Sequence, residues 1–158
     1  MDFRTIRVDD VIFDSNKDGR RGVRYGGNTS VRFQMPRATY RVSSKIPGTL
    51  TLTPLRMDFP GEFNAFMSRV IEKSGVNNAY PFERLNTNDE TLIFDHNDIL
   101  MDDIRPGSVV DVSLLVCIKG SWTNGITSGL IIDIDQIKVY SLTEPVSSPK
   151  VYMNGKPV

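Results

Sequence analysis

The sequence predicts a mainly β fold, a small β-barrel with one helix inserted between its strands. Two observations support this class. Apolar and polar residues alternate over several short segments, as in strands with one buried face, whereas only residues 61–74 have apolar residues at helical spacing. The 158 residues are enough for one domain with a single core. A two-sheet sandwich is the other architecture that this pattern allows.

The first group of strands lies before residue 56. The segments 31–35 (VRFQM) and 38–44 (ATYRVSS) place apolar residues at every second position, with arginines and other polar residues between them. In the segment 49–55 (TLTLTPL), leucines alternate with a ladder of threonines. We therefore expect three consecutive strands here, each with one face toward the core.

The helix predicted over residues 61–74 has a continuous apolar stripe and clear ends. Pro60 stands at its start and Gly75 at its end, as is usual for helix termini. Its apolar residues recur at the spacing i, i+3, i+4, i+7, i+8. They are Phe63, Phe66, Met67, Val70 and Ile71.

The last pair of strands is predicted at residues 108–119 and 129–140. Five apolar residues alternate along the first, and Asn124-Gly125 in the connection favours a hairpin turn, with Trp122 in or beside the loop. The alternation of the second strand slips by one position, which a bulge near Asp135 or Gln136 would repair.

This order fits an OB-like β-barrel, a five-stranded fold that commonly has one helix inserted between the third and fourth strands, here combined with extended hairpins. We assign residues 1–142 to this OB-like domain. Residues 143–158, with three prolines among serines, are expected to form a flexible C-terminal tail.

Charge is balanced overall but not along the chain. Nineteen basic residues match nineteen acidic ones, yet residues 1–50 hold ten Lys or Arg against five acids, and residues 51–106 hold five against ten. A local basic excess can mark a polyanion-binding face even in a neutral protein, although a solvated strand face gives the same pattern. The single cysteine, Cys117, permits no internal disulfide, which suits an intracellular, reducing compartment.

Motifs for catalysis or cofactors are weak in this sequence. DSNKDG at 14–19 opens like a calcium loop, but Tyr25 stands where loop position twelve needs a glutamate, and we interpret the segment as a hairpin turn. His96 is the single histidine and has no partners at metal-site or triad spacing. Neither a signal peptide nor a membrane span is evident. We therefore expect no enzyme activity, no cofactor and no bound metal.

Residues 25–42, YGGNTSVRFQMPRATYRV, carry the strongest functional signal. Arginines are interleaved with aromatic residues behind a Gly-Gly pair. Arginines in a groove bind the phosphates of a single strand, and aromatic rings stack on its bases at about 1–3 kcal/mol per base. Trp122 in its Gly- and Asn-rich loop is either a lid on the core or an exposed stacking surface, and the sequence leaves both open.

The same stretch resembles the early motif of OB-fold single-stranded DNA-binding proteins of large DNA viruses and some phages: a Gly pair, a strand ending in Gln-x-Pro, then a second short strand. Residues 102–140 resemble the closing hairpin of that family, with its long apolar strand, its tryptophan and its Gln-Ile-Lys-Val. The family commonly has an aromatic and a basic residue after the glycine of the last strand, where this chain has Leu130, Ile131, Asp133 and Asp135. Whether these acids face the groove is left open.

The resemblance implies a non-sequence-specific single-stranded DNA-binding protein that protects displaced strands during viral or phage DNA replication, recombination or repair. Single-stranded DNA is the expected partner, with replication proteins and a second copy of the chain as further candidates. The expected phosphate contacts are Arg24, Arg32, Arg37, Arg41, Lys45 and Lys119. The expected stacking residues are Tyr25, Tyr40 and Trp122. The alternative is a viral β-rich structural or assembly protein without a nucleic-acid role.

Overall fold

The computed structural model describes residues 2–56, 59–145, 152–153 and 156–157. Before the helix lie strands β1 (Ile12–Phe13), β2 (Arg20–Arg24), β3 (Val31–Gln34), β4 (Ala38–Ile46) and β5 (Thr49–Pro54). Helix α1 spans Gly61–Ser74, and after it lie β6 (Leu85–Asn86), β7 (Leu92–Phe94), β8 (Leu100–Met101), β9 (Val109–Thr123), β10 (Ser128–Thr143), β11 (Tyr152–Met153) and β12 (Lys156–Pro157). The mainly β class is confirmed.

Strand β9 is the centre of the main sheet. One of its edges pairs along its length with β10, whereas the other edge pairs in turn with β4, β3 and β2. The sheet continues from β4 to β5 and β6 on one side, and from β10 to β7 and β8 on the other. Strands β4, β3 and β2, which come from the basic N-terminal third of the chain, therefore lie end to end along β9.

This sheet is not closed into a barrel. The strands at its two ends, β6 and β8, are not hydrogen-bonded to each other, and the order β6-β5-β4-β9-β10-β7-β8 describes an open sheet. The closed barrel expected from the sequence is therefore not observed. Strand alternation indicates which face of each strand is buried, but it does not indicate whether the last strand returns to the first.

The predicted hairpin of β9 and β10 is confirmed, and so is its bulge. The two strands pair antiparallel from Ser128 opposite Thr123 to Thr143 opposite Val109. The register shifts between Ile134 and Gln136, so the extra residue is Asp135. The bulge keeps Ile134 and Ile137 both buried, which strict alternation would not allow.

Helix α1 covers the inner face of the sheet with the predicted stripe. Phe63, Phe66, Met67 and Val70 are buried, whereas Ile71 is only half-buried. The ring of Phe66 packs edge-on to the ring of Phe33 on β3, with centroids 5.1 Å apart. The helix ends at Gly75, whose left-handed backbone (φ 74°) forms the expected C-terminal cap.

The segment DSNKDG forms a turn, as predicted. It connects β1 to β2, which pair antiparallel, and the Asn16 side chain accepts a hydrogen bond from the backbone N–H of Gly19. Asp14 forms an ion pair with Arg24. In the C-terminal tail the described part is the short antiparallel pair of β11 and β12. The rest of the predicted flexible segment lies outside the described residues, apart from the end of β10 and the two residues after it.

Candidate nucleic-acid interface

Of the predicted basic residues, Arg32, Arg37, Arg41 and Lys119 lie on the face of the sheet opposite helix α1, which we call the outer face. Side chains of cross-strand neighbours share a face. Arg32 on β3 lies beside Cys117 on β9, which lies beside Asp133 on β10. The next outer row runs from Gln34 through Leu115 to Gln136. The arginines of the early motif and the acids of the last strand therefore share one surface.

Each of four basic side chains on this face is paired with a carboxylate from another segment. Two of the pairs, Arg32–Asp135 and Lys119–Asp133, join different strands, and the other two join a strand residue and a residue of the loop before another strand. The nitrogen–oxygen distances are 2.8 Å for Arg32–Asp135, 2.7 Å for Arg37–Asp111, 2.8 Å for Lys119–Asp133 and 2.9 Å for Lys138–Asp98. Asp133 and Asp135, whose orientation the sequence left open, thus lie among the predicted phosphate contacts and balance their charge.

Arg37 is the most constrained of these cations. Its Nε and Nη2 donate to the two carboxylate oxygens of Asp111, and its guanidinium lies 4.1 Å from the ring centroid of Tyr140. The hydrogen bond to Asp111 raises the pKa of Arg37 further above its usual range. A guanidinium has five N–H donors, so this arrangement fixes its plane and leaves donors for a further oxygen ligand.

Three depressions, each sharing lining residues with the next, begin beside Arg37. The first is lined by Arg37, Ala38, Thr39, Leu55, Arg56, Phe59 and Pro60. The second shares Arg37 and Pro60 with the first and reaches Gln34 and Ser113, which in turn line the third together with Phe94 and Lys138. We call these three depressions the outer groove. Its course crosses from β4 and β5 to β7, which suits an extended ligand better than a compact one.

The remaining predicted phosphate contacts have different surroundings. Arg41 is exposed on the outer side of β4, opposite Thr53 and Val109, and no carboxylate of the described residues lies within ion-pair distance of it. Arg24 is paired with Asp14 at 2.9 Å, away from the groove lining. The side chain of Lys45 lies outside the described part of the structure.

Tyr40 was expected to stack on bases, and the structure corrects this. The residue is 0% exposed, on the same phase of β4 as the buried Val42, and its ring is part of the core. A buried ring offers no face to a base. Its hydroxyl has no hydrogen-bond partner among the described residues, and burial raises its pKa. The alternation of β4 already placed Tyr40 with its apolar neighbours.

Tyr25 and Trp122, the other two predicted stacking residues, are each only partly accessible. The hydroxyl of Tyr25 accepts a hydrogen bond from the backbone N–H of Arg7, and its half-buried ring packs against the core. Trp122 lies opposite Gly129 in the hairpin, and its indole covers the glycine so closely that a Cβ there would be 2.9 Å from Nε1. The residue remains 38% exposed and is the cross-strand neighbour of Arg20. It therefore covers a strand glycine and is also accessible.

Three residues of this surface were not anticipated as site residues: Asp111, Tyr140 and Arg56. Asp111 occupies the polar phase of β9, so alternation alone could have identified it as an outer-face residue. Tyr140 is the extra residue at the register shift between Val139 and Ser141, which no sequence pattern located. Arg56 lies just beyond β5 and reaches the groove because the chain turns there toward helix α1.

Nothing in the described residues forms a metal centre. No group of three or more His, Cys, Asp or Glu side chains among them could hold a metal ion. Cys117 is buried, and burial raises the pKa of its thiol, which makes it a poor nucleophile at neutral pH.

The chain matches no protein-family model, no curated protein and no solved structure. The resemblance to single-stranded DNA-binding proteins therefore stays a hypothesis. Within the part of the chain that the structure describes, none of the helices has the length and apolar composition needed to cross a bilayer.

Proposed function

We propose that the protein binds single-stranded DNA without sequence preference along the outer groove, and that it catalyses no reaction. The observation that carries the proposal is the position of Arg37, which lines the two adjoining depressions nearest β4 and has its guanidinium plane fixed by Asp111 and Tyr140. In this proposal Arg37, Arg41 and Arg56 contact successive phosphates. The biological setting would be the protection of displaced strands during viral or phage replication, recombination or repair.

The carboxylate partners do not prevent phosphate binding at these arginines. An exposed ion pair contributes about 0–1 kcal/mol, so an incoming phosphate loses little by competing for the same guanidinium. Arg37 also keeps N–H donors that Asp111 does not use. Arg41 and Arg56 have no ion pair among the described residues. Arg56 lines the first depression, and Arg41 lies on the outer side of β4 two residues beyond Thr39, which also lines it.

Arg32 and Lys119 contribute less to this proposal than the sequence suggested. They are balanced by Asp135 and Asp133, and each pair brings a negative charge close to any bound phosphate. We therefore assign the primary contacts to the part of the groove between β4 and β5.

The OB-like fold expected from the sequence is part of the same proposal. Strands β3, β4 and β5 precede the helix, and the long β9–β10 hairpin follows it. We propose that this order, three strands, a helix and a hairpin, derives from an OB-type domain and that the sheet is an open variant of it. The groove then lies across the sheet strands, where an extended single strand would be held.

The test is a fluorescence anisotropy titration with a labelled 20-nucleotide oligothymidylate over a series of salt concentrations. We expect Arg37→Ala, Arg41→Ala and Arg56→Ala each to weaken binding, and the slope of log affinity against log salt to decrease by about 0.7 per lost contact. Arg69→Ala, on the outward side of α1, is the matched control and should bind as the parent does. Equal affinity for a mixed-sequence strand is expected, because phosphates carry no sequence information.

If the parent does not bind a single strand at low salt, or if Arg69→Ala weakens binding as much as the groove variants, the proposal is wrong. A duplex of the same length and an oligouridylate, titrated in parallel, then determine which nucleic acid is preferred. Tighter binding to the duplex would also contradict the proposal.

A second candidate is a structural or assembly role without nucleic acid. The observation that favours it is the charge balance of the outer face, where Arg32, Lys119 and Lys138 are all paired with carboxylates. A neutral, ion-paired sheet face is suited to contact another protein surface. Association that persists at high salt, measured by sedimentation, would favour this candidate over the first.

A further inference from the structure

The edge of the sheet at β7 and β8 combines exposed apolar side chains with an unpaired strand. Leu92 is 44% exposed, Ile99 61% and Leu100 59%, although such residues are usually buried. Leu92 and the half-buried Phe94 point to the outer side of β7, and Leu100 lies directly opposite Phe94 on β8. These side chains therefore form one apolar strip at the end of the sheet.

The backbone of β8 is also available. Strand β8 pairs with β7 on one side and is the last strand of the sheet within the described residues. The outward edge of such a strand presents N–H and C=O groups that a further strand can pair with. Addition of a strand here would bury Leu100 and extend the sheet without rearrangement.

The charge around this strip is strongly negative. The segment 89–103 contains six carboxylates and neither lysine nor arginine. Asp98 is paired with Lys138, and Asp95 accepts hydrogen bonds from two backbone N–H groups of its own loop, which lower its pKa. The other four form no ion pair within the described residues: Asp89, Glu90, Asp102 and Asp103.

We propose that this surface, which we call the acidic edge, is a docking site for an extended segment of a partner protein in which basic residues alternate with apolar ones. The apolar side chains would cover Leu92 and Leu100, and the basic side chains would reach the four carboxylates. Successive side chains of a strand point to opposite faces, so a segment in which the two kinds alternate presents its apolar side chains on the side of Leu92 and Leu100 and its basic side chains on the other.

The charge pattern excludes two other occupants. A second copy pairing edge to edge would bring both sets of four carboxylates together, and like charges at close range repel. Single-stranded DNA would be repelled for the same reason, so this inference does not rest on the proposed function.

The experiment uses the full-length protein and a labelled synthetic peptide of nine residues that alternates lysine and valine. Binding is measured by fluorescence anisotropy at low salt. A peptide with glutamate in place of lysine and one with the same residues in two separate blocks are the peptide controls. We expect the alternating peptide to bind and both controls to bind at least about tenfold more weakly, because each loses either the charge or the strand pattern.

Protein variants locate the site. The double variant Asp102→Asn, Asp103→Asn should bind the alternating peptide about fivefold more weakly, because it removes two exposed ion pairs with the peptide. Leu100→Ser should weaken it about tenfold through lost apolar burial. The matched controls are Glu72→Gln with Glu83→Gln, which remove the same charge elsewhere, and Ile126→Ser, which removes an apolar residue that is 84% exposed at the hairpin loop.

A melting temperature within a few degrees of the parent's must accompany each variant, and all these residues are exposed, so folding should be retained. Amide chemical shifts should change along residues 92–101 when the peptide binds. The proposal is overturned if the control variants lose as much affinity as the edge variants, if the two-block peptide binds equally well, or if the shifts map to another surface.

Discussion

Arg37 and Asp111 form the most directional ion pair of the outer face, with Nε at 3.0 Å and Nη2 at 2.7 Å from the carboxylate. The two residues are 74 positions apart in the chain, and the antiparallel pairing of β4 with β9 brings them together. Asp111 fixes the plane of the guanidinium and also offsets its charge. A substitution that removes the charge of Asp111 therefore shows which of these two effects matters more for phosphate binding.

We predict that Asp111→Asn strengthens the binding of single-stranded DNA. The asparagine keeps the volume and an acceptor oxygen but removes the negative charge beside Arg37. Because Arg37 already makes one phosphate contact in the proposed complex, the affinity should rise while the salt slope stays close to the parent's. Asp18→Asn, the same change in the turn before β2, is the control and should leave affinity nearly unchanged. Weaker binding in Asp111→Asn would mean that Arg37 requires its partner to be held in place.

The second prediction concerns the packing of helix α1 on the sheet. Phe66→Ala removes a buried ring that contacts both Phe3 and Phe33. The free energy of unfolding should fall by about 3–5 kcal/mol, as for other large-to-small changes in a core. Urea unfolding measures this, with Glu72→Ala on the exposed side of the helix as a control expected within about 0.5 kcal/mol. A similar loss in both variants would contradict the packing described.

The third prediction separates backbone strain from steric contact at two glycines of the hairpin. Gly120 has φ +152°, and a Cβ there would clash with the carbonyl oxygen of Arg21 on β2. Gly125 has φ +91° with no atom within 4 Å of such a Cβ. Gly125→Ala should lower the free energy of unfolding by about 1 kcal/mol, because alanine is strained at this backbone conformation even without a steric contact. Gly120→Ala should cost clearly more, because β2 must also move away from β9. Equal losses in urea unfolding would show that the close approach is not maintained.

The elements of this fold could be predicted from the sequence because they depend on local periodicity. The helix of residues 61–74 and the bulge at Asp135 both follow from where apolar residues must point. The open sheet could not be predicted, because closure depends on how far strands twist and where β10 meets β7. The short strands β7 and β8 have too few residues for a periodic signal, so no sequence pattern identifies them.

The candidate site was predicted less completely, for a related reason. Alternation identified Arg32 and Arg41 as outer-face residues, and the same alternation grouped Tyr40 with the core, against its expected role in stacking. The carboxylates that balance the basic residues come from β9 and β10, far along the chain. A stretch of sequence that is basic by composition can therefore lie on a neutral surface once the strands pair.

The last prediction concerns the buried hydroxyl of Tyr40. It has no hydrogen-bond partner among the described residues, so it contributes a desolvation cost without a compensating bond. Tyr40→Phe should leave the free energy of unfolding unchanged or raise it by up to about 1 kcal/mol, whereas Tyr40→Ala should lower it by about 3–5 kcal/mol through the cavity. A loss of more than about 1 kcal/mol in Tyr40→Phe would indicate that the hydroxyl has a partner.

The pH dependence of the same pair of proteins gives an independent check. Burial raises the pKa of Tyr40 above that of an unfolded tyrosine, which is about 10. Above that pH the unfolded chain releases a proton that the folded protein retains, so the parent loses stability as pH rises, while below it this contribution is fully present. Tyr40→Phe has no ionisable hydroxyl at this position, so its free energy of unfolding should fall less as the pH rises. The measurement is urea unfolding of both proteins between pH 8 and 10.5, where other titrating groups act equally on each. If the difference between the two free energies stays constant over this range, Tyr40 ionises as easily folded as unfolded, and its ring is not buried as described.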